Sequence, residues 1–360
     1  MELTNSTYTP EELTVLLGCF VSNTQEFNFK VLTAGLINDT FLVYSEETPL
    51  YVLQRINHKV FRDVAGVMKN ISCALNALKA TDYREIRLLK TLEGSYFKKT
   101  TSGYWRLMSF IAESTTYNIT EAEKTAFEAG RIVAKFHLLL EGQDLLEYTD
   151  TIPRFHDLSL REQQFENALA STDVSKLENA RTSIAFARKT LNTLKNIDFN
   201  ALEYRICHND TKLNNILFSQ QTGKGLCLID LDTIMKGYFF FDFGDAIRTV
   251  VNTAAEDEKQ LDRITFNQKL FTAFIKGMAS NPSFLSKAEV KSLPMGAVFM
   301  PFIHGLRALT DYLENNRYYK VAYENQNLDR CTSLFDFSSK ALDEIPFMEA
   351  ELKRVFPETL

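Results

Sequence analysis

Residues 206–232 read as strand inside a stretch that is otherwise helical from about residue 113 onward, and this island limits the fold more than any other feature of the sequence. Two short apolar runs this close together can pair only as an antiparallel hairpin, because a parallel pair needs a long crossover. The first run follows Cys207-His208-Asn209-Asp210-Thr211-Lys212-Leu213-Asn214-Asn215, which contains the pattern H-x-D-x-K-x-x-N. The second, Leu226-Cys227-Leu228-Ile229-Asp230-Leu231-Asp232, follows a turn on Thr222-Gly223-Lys224-Gly225. A hairpin centred between Thr222 and Gly223 sets Asn215 opposite Asp230, and directly paired residues lie about 5 Å apart. An amide oxygen and a carboxylate at that spacing can share one Mg²⁺, whose ligands sit at about 2.1 Å.

Phosphoryl transfer needs these parts. A carboxylate takes the proton of the attacking hydroxyl, metal ligands hold the nucleotide phosphates, and a cation balances charge on the moving group. Asp210 is the candidate base, Lys212 the candidate cation, and Asn215 and Asp230 the candidate metal ligands. Asp232, on the same strand face as Asp230, is either a further ligand or an outer partner. His208 reads as structural, bonding the loop backbone. Asp242-Phe243-Gly244 spells the D-F-G of protein kinases, but it comes 27 residues after Asn215, too far for the metal aspartate that follows one short hairpin. Asp242 and Asp245 are therefore expected to brace the catalytic loop.

The remaining sequence separates into a β-rich beginning and a helical end. Thr9, Pro10 and Glu12 mark a capped helix start. Residues 41–44 and 51–54 flank a polar turn and read as a hairpin, as do residues 96–98 and 104–108, with a helix at 64–78 between them. Helical spacing recurs at 121–140, 161–170, 174–194, 257–278 and 287–313, the last with a capping box from Ser286 and Glu289. Glu256-Asp257-Glu258 fits a solvated helix start, where carboxylates are favoured.

Composition sets the class. The 360 residues carry 40 Lys+Arg against 46 Asp+Glu, a net charge of −6 without a basic run, which argues against a nucleic-acid partner. No apolar run approaches the roughly 18 residues of a membrane span, and Met1-Glu2-Leu3-Thr4-Asn5 lacks a signal peptide's basic and apolar regions. Five cysteines, odd in number and never in C-x-x-C, suit reduced thiols of a cytoplasmic protein. The histidines show no metal-ligand spacing.

At the catalytic residues the sequence resembles the aminoglycoside phosphotransferase and choline kinase superfamily and, within it, the N-acetylhexosamine 1-kinases. The resemblance runs through His208–Leu217, Ile229–Met235, Phe241-Asp242-Phe243-Gly244-Asp245, Glu256–Lys259 and Phe155-His156-Asp157, and near the N-terminus through Ile37–Val43 and Tyr51–Gln54. It implies an α+β, two-lobed, protein-kinase-like fold, with residues 1–112 as a nucleotide-binding lobe and 113–360 carrying the catalytic loop, metal site and sugar-binding region. ATP would be the co-substrate with Mg²⁺. The acceptor would be N-acetylglucosamine or N-acetylgalactosamine, phosphorylated on the anomeric hydroxyl. Backbone at Phe110, Ile111 and Ala112 would hold the adenine edge, and Gly35-Leu36-Ile37-Asn38-Asp39-Thr40 would be the phosphate loop.

Two departures from the protein-kinase pattern stand out. The strand expected to carry a phosphate-binding Lys reads Leu53-Gln54-Arg55, of which one of Gln54 and Arg55 faces the phosphates. The Glu that would pair with that Lys is missing too, since residues 61–80 contain a single acid, Asp63. For the acceptor, Arg307 and Asp311 share a helix face at i, i+4. The resemblance adds Tyr312 to them. Arg317, Tyr318 and Tyr319 are neighbouring candidates for a sugar wall, and His156 and Asp157 are weaker ones. Other acceptors, such as an aminoglycoside or choline, and a silent nucleotide-binding module are the competing readings.

Overall fold

The computed structural model describes residues 8–23, 27–32 and 37–359. The chain divides into two compact units, one of residues 1–114, 144–152 and 231–235, the other of residues 115–143, 153–230 and 236–360.

In the first unit, helix α1 (Pro10–Leu17) starts with the capping box of Thr9 and Glu12. Strands β1 (Phe27–Leu32), β2 (Asp39–Ser45) and β3 (Thr48–Ile56) precede helix α2 (Val64–Ala77), and β4 (Leu88–Leu89), β5 (Lys98–Thr100) and β6 (Gly103–Ser109) follow it. The sheet runs β1-β2-β3-β6-β4 with β5 paired to β6. Its register is the key to this unit. Phe41, Leu53 and Leu107 stand side by side on β2, β3 and β6, and so do Thr40, Gln54 and Arg106 one position away. Successive residues point to opposite faces, so one face is an apolar row and the other a polar one. The apolar row packs with Leu13, Leu16 and Leu17 of α1 and with Trp105.

Helix α2 is capped by Asp63, which accepts from Gly66 N, so the one acid of this region is engaged locally. The fully buried Asn70 donates to Thr149 O (2.7 Å) and Ile234 O (2.8 Å) and accepts from Thr149 N (3.0 Å). These bonds fix residues 144–152 and 231–235 in this unit.

Strand β7 (Ser114–Thr115) leads into the second unit, which contains α3 (Glu123–Leu139), α4 (Leu158–Ser171), α5 (Val174–Asn179), α6 (Arg181–Leu194), β8 (Tyr204–Cys207), β9 (Ile216–Ser219) and β10 (Gly225–Leu228). Strand β11 (Met235–Tyr238) and helices α7 (Phe239–Val250), α8 (Gln268–Ala279), α9 (Lys287–Leu313), α10 (Gln326–Asp343) and α11 (Ile345–Val355) complete it. The Ser286–Glu289 capping box forms, and α9 continues through Pro294 and Pro301. The helical run 174–194 is broken at Ala180. The run from 257 becomes helix only at Gln268, where Asn267 caps α8. Helices α3 and α8 touch backbone to backbone. A Cβ on Gly130 would lie 1.9 Å from Phe274 O, and one on Gly277 equally close to Phe127 O. Among the described residues no helix is long and apolar enough to cross a membrane, and the five cysteines are free thiols.

Candidate active site

The catalytic loop lies between β8 and β9 in the second unit. Strand β9 pairs with β10, but the register differs from simple reflection about the turn. Ser219 N donates to Lys224 O, Phe218 pairs with Gly225, and a bulge at Leu226 then sets Leu217 opposite Cys227 and Ile216 opposite Leu228. Asn215 therefore faces Ile229, whose N donates to Asn215 O at 2.8 Å, and Asp230 comes one residue later. The expected Asn215–Asp230 pairing is off by one because the turn is tighter than read and the bulge restores only half the difference. Asp230 and Asn209 both have left-handed backbones, φ 62° and 61°, a conformation that persists when the surroundings hold it.

Those surroundings are explicit. Asp242, on the first turn of α7 and fully buried, accepts from His208 N (2.8 Å) and Asn209 N (2.6 Å) and meets His137 Nε2 at 2.9 Å. Its backbone oxygen accepts from Thr211 Oγ1. His208 Nε2 bonds Ile229 O (2.8 Å), while its Nδ1 accepts from Asp210 N (3.3 Å), which fixes the tautomer with the proton on Nε2. One imidazole thus joins the loop of the candidate base to the residue before Asp230.

Asp210, Lys212 and Asn215 come together. Lys212 Nζ lies 2.9 Å from Asp210 Oδ2, and Asn215 Nδ2 donates to Asp210 O (2.8 Å) and Oδ2 (2.9 Å). Burial pushes the Asp210 carboxyl up, but the charge and hydrogen bond of Lys212 outweigh it and hold the group below the usual carboxylate range. Lys212 is held above its ordinary value: burial opposes this, and Asp210 and then Asp230 overcome it. Both charges persist across the neutral range.

A metal would find a suitable donor set here. With Nδ2 of Asn215 committed to Asp210, its Oδ1 faces the other way, and this amide oxygen with the Asp230 carboxylate is an all-oxygen pair of the kind Mg²⁺ takes beside phosphate oxygens. Asp232 does not extend the set. It is buried in the first unit with both oxygens occupied, Oδ1 by Arg106 Nη1 and Oδ2 by Asn38 Nδ2 (2.6 Å). In this arrangement Asp232 is a partner of Arg106 and Asn38.

The candidate nucleotide residues Asn38, Asp39, Thr40, Gln54 and Arg55 also assemble in the first unit. Gln54 Nε2 donates to Thr40 Oγ1 (2.9 Å), and its Oε1 accepts from Arg106 Nε (3.0 Å) and Nη2 (2.8 Å). Arg55 instead pairs with Asp39 (2.6 Å), neutralising an acid that would repel phosphate. Phe110, Ile111 and Ala112 directly follow β6, with Phe110 N bonded to Leu50 O. Gly35 lies outside the described residues. Arg106 was not among the sequence candidates, and only its place opposite Gln54 on a neighbouring strand could have signalled it.

The acceptor candidates divide. Arg307 lies over the rings of Phe155 (5.1 Å) and Tyr318 (5.9 Å), with no carboxylate partner among the described residues. Asp311 does not join it. Its carboxylate accepts from Tyr318 N (2.7 Å), Tyr319 N (2.9 Å) and Asn327 Nδ2 (2.9 Å), which commits both oxygens to the fold of this segment. Tyr312 is buried beneath Lys176, whose Nζ sits 4.7 Å from the ring centre, so it cannot wall a ligand. The i, i+4 spacing defines a shared face but not what covers it, and Asp311 and Tyr312 are engaged elsewhere in the fold. Asp157 caps α4, and His156 Nε2 bonds Asn209 O at 3.1 Å.

Residues not singled out for the acceptor approach the base more closely. Asp245, fully buried, pairs through Oδ1 with Arg248 Nε (2.5 Å) and lies 3.3 Å from His304 Nε2. Its Oδ2, like Nδ1 of His156, has no hydrogen-bond partner. Burial lowers His156 to about 4 and His304 well below its usual value, so both are neutral at pH 7. Glu256 is no solvated helix start. Arg248 and Arg330 each reach it at 2.9 Å, so its carboxylate is paired and buried.

Comparison with known proteins completes the picture. Residues 28–269 match the model of the phosphotransferase enzyme family. Among solved structures, an aminoglycoside phosphotransferase from Alicyclobacillus acidocaldarius has a TM-score of 0.64 at 13% identity, covering 98% of each chain. A microcompartment-associated aminopropanol kinase gives 0.61 at 15% identity, covering 93% of this chain and 97% of its own. A spectinomycin phosphotransferase, solved with ADP and spectinomycin, gives 0.59 at 13% identity over 94% and 98%. These likenesses establish the protein-kinase-like α+β fold. With a family match over more than half its length and an Asp–Lys–Asn constellation on the matching loop, the chain belongs to the phosphotransferase enzyme family and is a kinase-type phosphotransferase.

Proposed function

We propose that this phosphotransferase moves the γ-phosphoryl group of ATP onto the anomeric hydroxyl of N-acetylglucosamine or N-acetylgalactosamine, giving the sugar 1-phosphate and ADP. Asp210 orients the hydroxyl and takes its proton. The sugar oxygen bonds to the γ-phosphorus while the bond to the β–γ bridging oxygen breaks, and that electron pair leaves with ADP. Because the anomeric hydroxyl is more acidic than an ordinary alcohol, a depressed carboxyl suffices and positioning dominates. Lys212, resting on Asp210, turns its charge toward the transferring oxygens. Asn215 and Asp230 would hold Mg²⁺, which when bound supplies charge neutralisation at the phosphates. Residues 1–112 would carry the nucleotide, with the backbone of Phe110–Ala112 on adenine and Asn38 and Thr40 toward the phosphates. Residues 113–360 would carry the catalytic loop and the sugar. The setting would be the cytoplasm, where ATP and free thiols coexist.

The observation that supports the acceptor choice is the positive charge around His156, whose ring bonds the residue before Asp210. Arg307 is unpaired by any described carboxylate, and Arg161, held by Phe155 O (2.7 Å), is lowered to about 10 by burial and then by the nearby charge of Arg307. His156, which bonds the residue before Asp210, feels the same Arg307 charge. Guanidinium groups at this place repel an ammonium acceptor and suit a neutral, hydroxyl-rich one.

The test is ADP release with Mg²⁺-ATP across N-acetylglucosamine, N-acetylgalactosamine, glucose, choline and kanamycin, with phosphorus NMR locating the phosphate. Turnover is expected with the N-acetylhexosamines and an anomeric phosphate. Turnover with choline or kanamycin alone would show another acceptor. Asp210→Asn should lower kcat by about 10²–10⁴-fold while nucleotide binding persists. An unchanged kcat would remove Asp210 from the mechanism.

A further inference from the structure

A buried ion pair occupies the first unit at the place where the lysine and glutamate of protein kinases are missing. Arg106 on β6 sits in register with Gln54, the residue at the expected lysine position on β3. Each of its three guanidinium nitrogens has a partner. Nε and Nη2 donate to Gln54 Oε1, and Nη1 pairs with Asp232 Oδ1, both charged side chains being 2% exposed. Asp232 Oδ2 accepts from Asn38 Nδ2, Asn38 Oδ1 accepts from Asn57 N (2.9 Å), and Gln54 Nε2 reaches Thr40. Every polar atom on this path has a partner, the condition under which a buried charge pair specifies one arrangement.

Asp232 is also two residues after Asp230. The chain around Asp230 is held by its neighbours: Ile229 O by His208 and Ile229 N by Asn215 O before it, Ile234 O by Asn70 after it. Between these anchors the Arg106–Asp232 pair is a buried charged hold, and it lies two residues after a position with φ 62°, a conformation that its surroundings must maintain.

We propose that Arg106 is a positioning residue for the metal site: through Asp232 it fixes the turn that presents Asp230, doing from β6 the aligning work that a lysine–glutamate pair does elsewhere. Each of its three guanidinium nitrogens is already engaged with Gln54 or Asp232, so the role assigned to it is to position the turn and not to hold phosphate. The inference rests on the assignment of Asp230 as a metal ligand. It does not depend on which acceptor is phosphorylated.

Arg106→Gln, Arg106→Lys and Asp232→Asn test it. Mn²⁺ binding to protein saturated with the non-hydrolysable analogue AMP-PNP is measured by calorimetry, alongside the Mg²⁺ midpoint for turnover, the acceptor KM and thermal unfolding. Arg106→Gln should weaken Mn²⁺ and raise the Mg²⁺ midpoint by tenfold or more, with acceptor KM within twofold, and Arg106→Lys should recover a large part of the loss. If Arg106→Gln does not fold, Asp232→Asn, which keeps the shape and one acceptor oxygen but sets an amide donor against Arg106 or Asn38, should still weaken Mn²⁺ by several-fold. A lower unfolding temperature with unchanged Mn²⁺ affinity would make the pair merely structural and overturn the inference. Equal loss of AMP-PNP affinity without any metal would overturn it too, by placing Arg106 on the phosphates. Wild-type protein that binds Mn²⁺ but turns over no N-acetylhexosamine would defeat the acceptor proposal alone.

Discussion

Asp232 and Asp245 are both buried carboxylates facing an arginine, one in each unit, and they differ in the second oxygen. At Asp232 that oxygen accepts from Asn38, and the arginine's remaining donors go to Gln54, so the cluster is closed. At Asp245 the second oxygen has no partner, His156 close by has a bare ring nitrogen, and Arg307 beside it has only aromatic rings for company. A closed cluster fixes structure. An open one keeps unmet hydrogen-bonding capacity, which is costly in a buried place unless a ligand or water meets it. The contrast separates a buried charge cluster whose acceptors are met from one whose acceptors are not.

The largest effect that would break this contrast is expected at Arg248, which holds both Asp245 and Glu256. Arg248→Met leaves two buried carboxylates short of a cation and should cost about 3–5 kcal/mol by urea unfolding. A loss below about 1 kcal/mol would mean that the open cluster is already solvated. Next comes His156. In the unfolded chain it titrates near 6.5, in the folded one near 4, because burial disfavours the cation. Its contribution is complete above pH 6.5 and falls as pH drops from 6.5 to 4, by roughly 3 kcal/mol in all. His156→Gln should flatten stability against pH in that window relative to wild type, and parallel curves would show that the ring is not buried neutral. The smallest effect sharpens the contrast most. Asp245→Asn keeps an oxygen for Arg248 and should leave the unfolding temperature nearly unchanged while raising acceptor KM about tenfold, roughly 1.4 kcal/mol. Asp232→Asn should leave acceptor KM alone. Identical KM in all three proteins would mean that Asp245 does not face the acceptor.

Much of the catalytic loop was legible because its residues are close in sequence. His208, Asp210, Lys212 and Asn215 span eight positions, and local backbone geometry brings them together. The capping boxes at Thr9 and Ser286 were legible for the same reason. What failed depended on distance or on one extra residue. The tight turn before Leu226 shifted the register by two and the bulge there restored one, leaving Asp230 a single place from its expected partner, which no propensity reports. Arg106 meets Gln54 and Asp232 across 52 and 126 positions, so its role is set by strand order alone. Asp311 had the right spacing to Arg307, but its carboxylate went to the backbone of residues 318 and 319, a turn that helical periodicity does not foresee.

The paired glycines of α3 and α8 bear on how such an enzyme tolerates change. Gly130 and His137 are seven positions apart on α3, two turns or about 10 Å. His137 holds Asp242, and Asp242 holds the backbone of His208 and Asn209. A single methyl group at Gly277 would collide with Phe127 O and push α3 along with everything that hangs from it. Turnover number is therefore a gauge of core packing in this protein. Sequence drift at this seam is expected to register in catalysis as well as in folding.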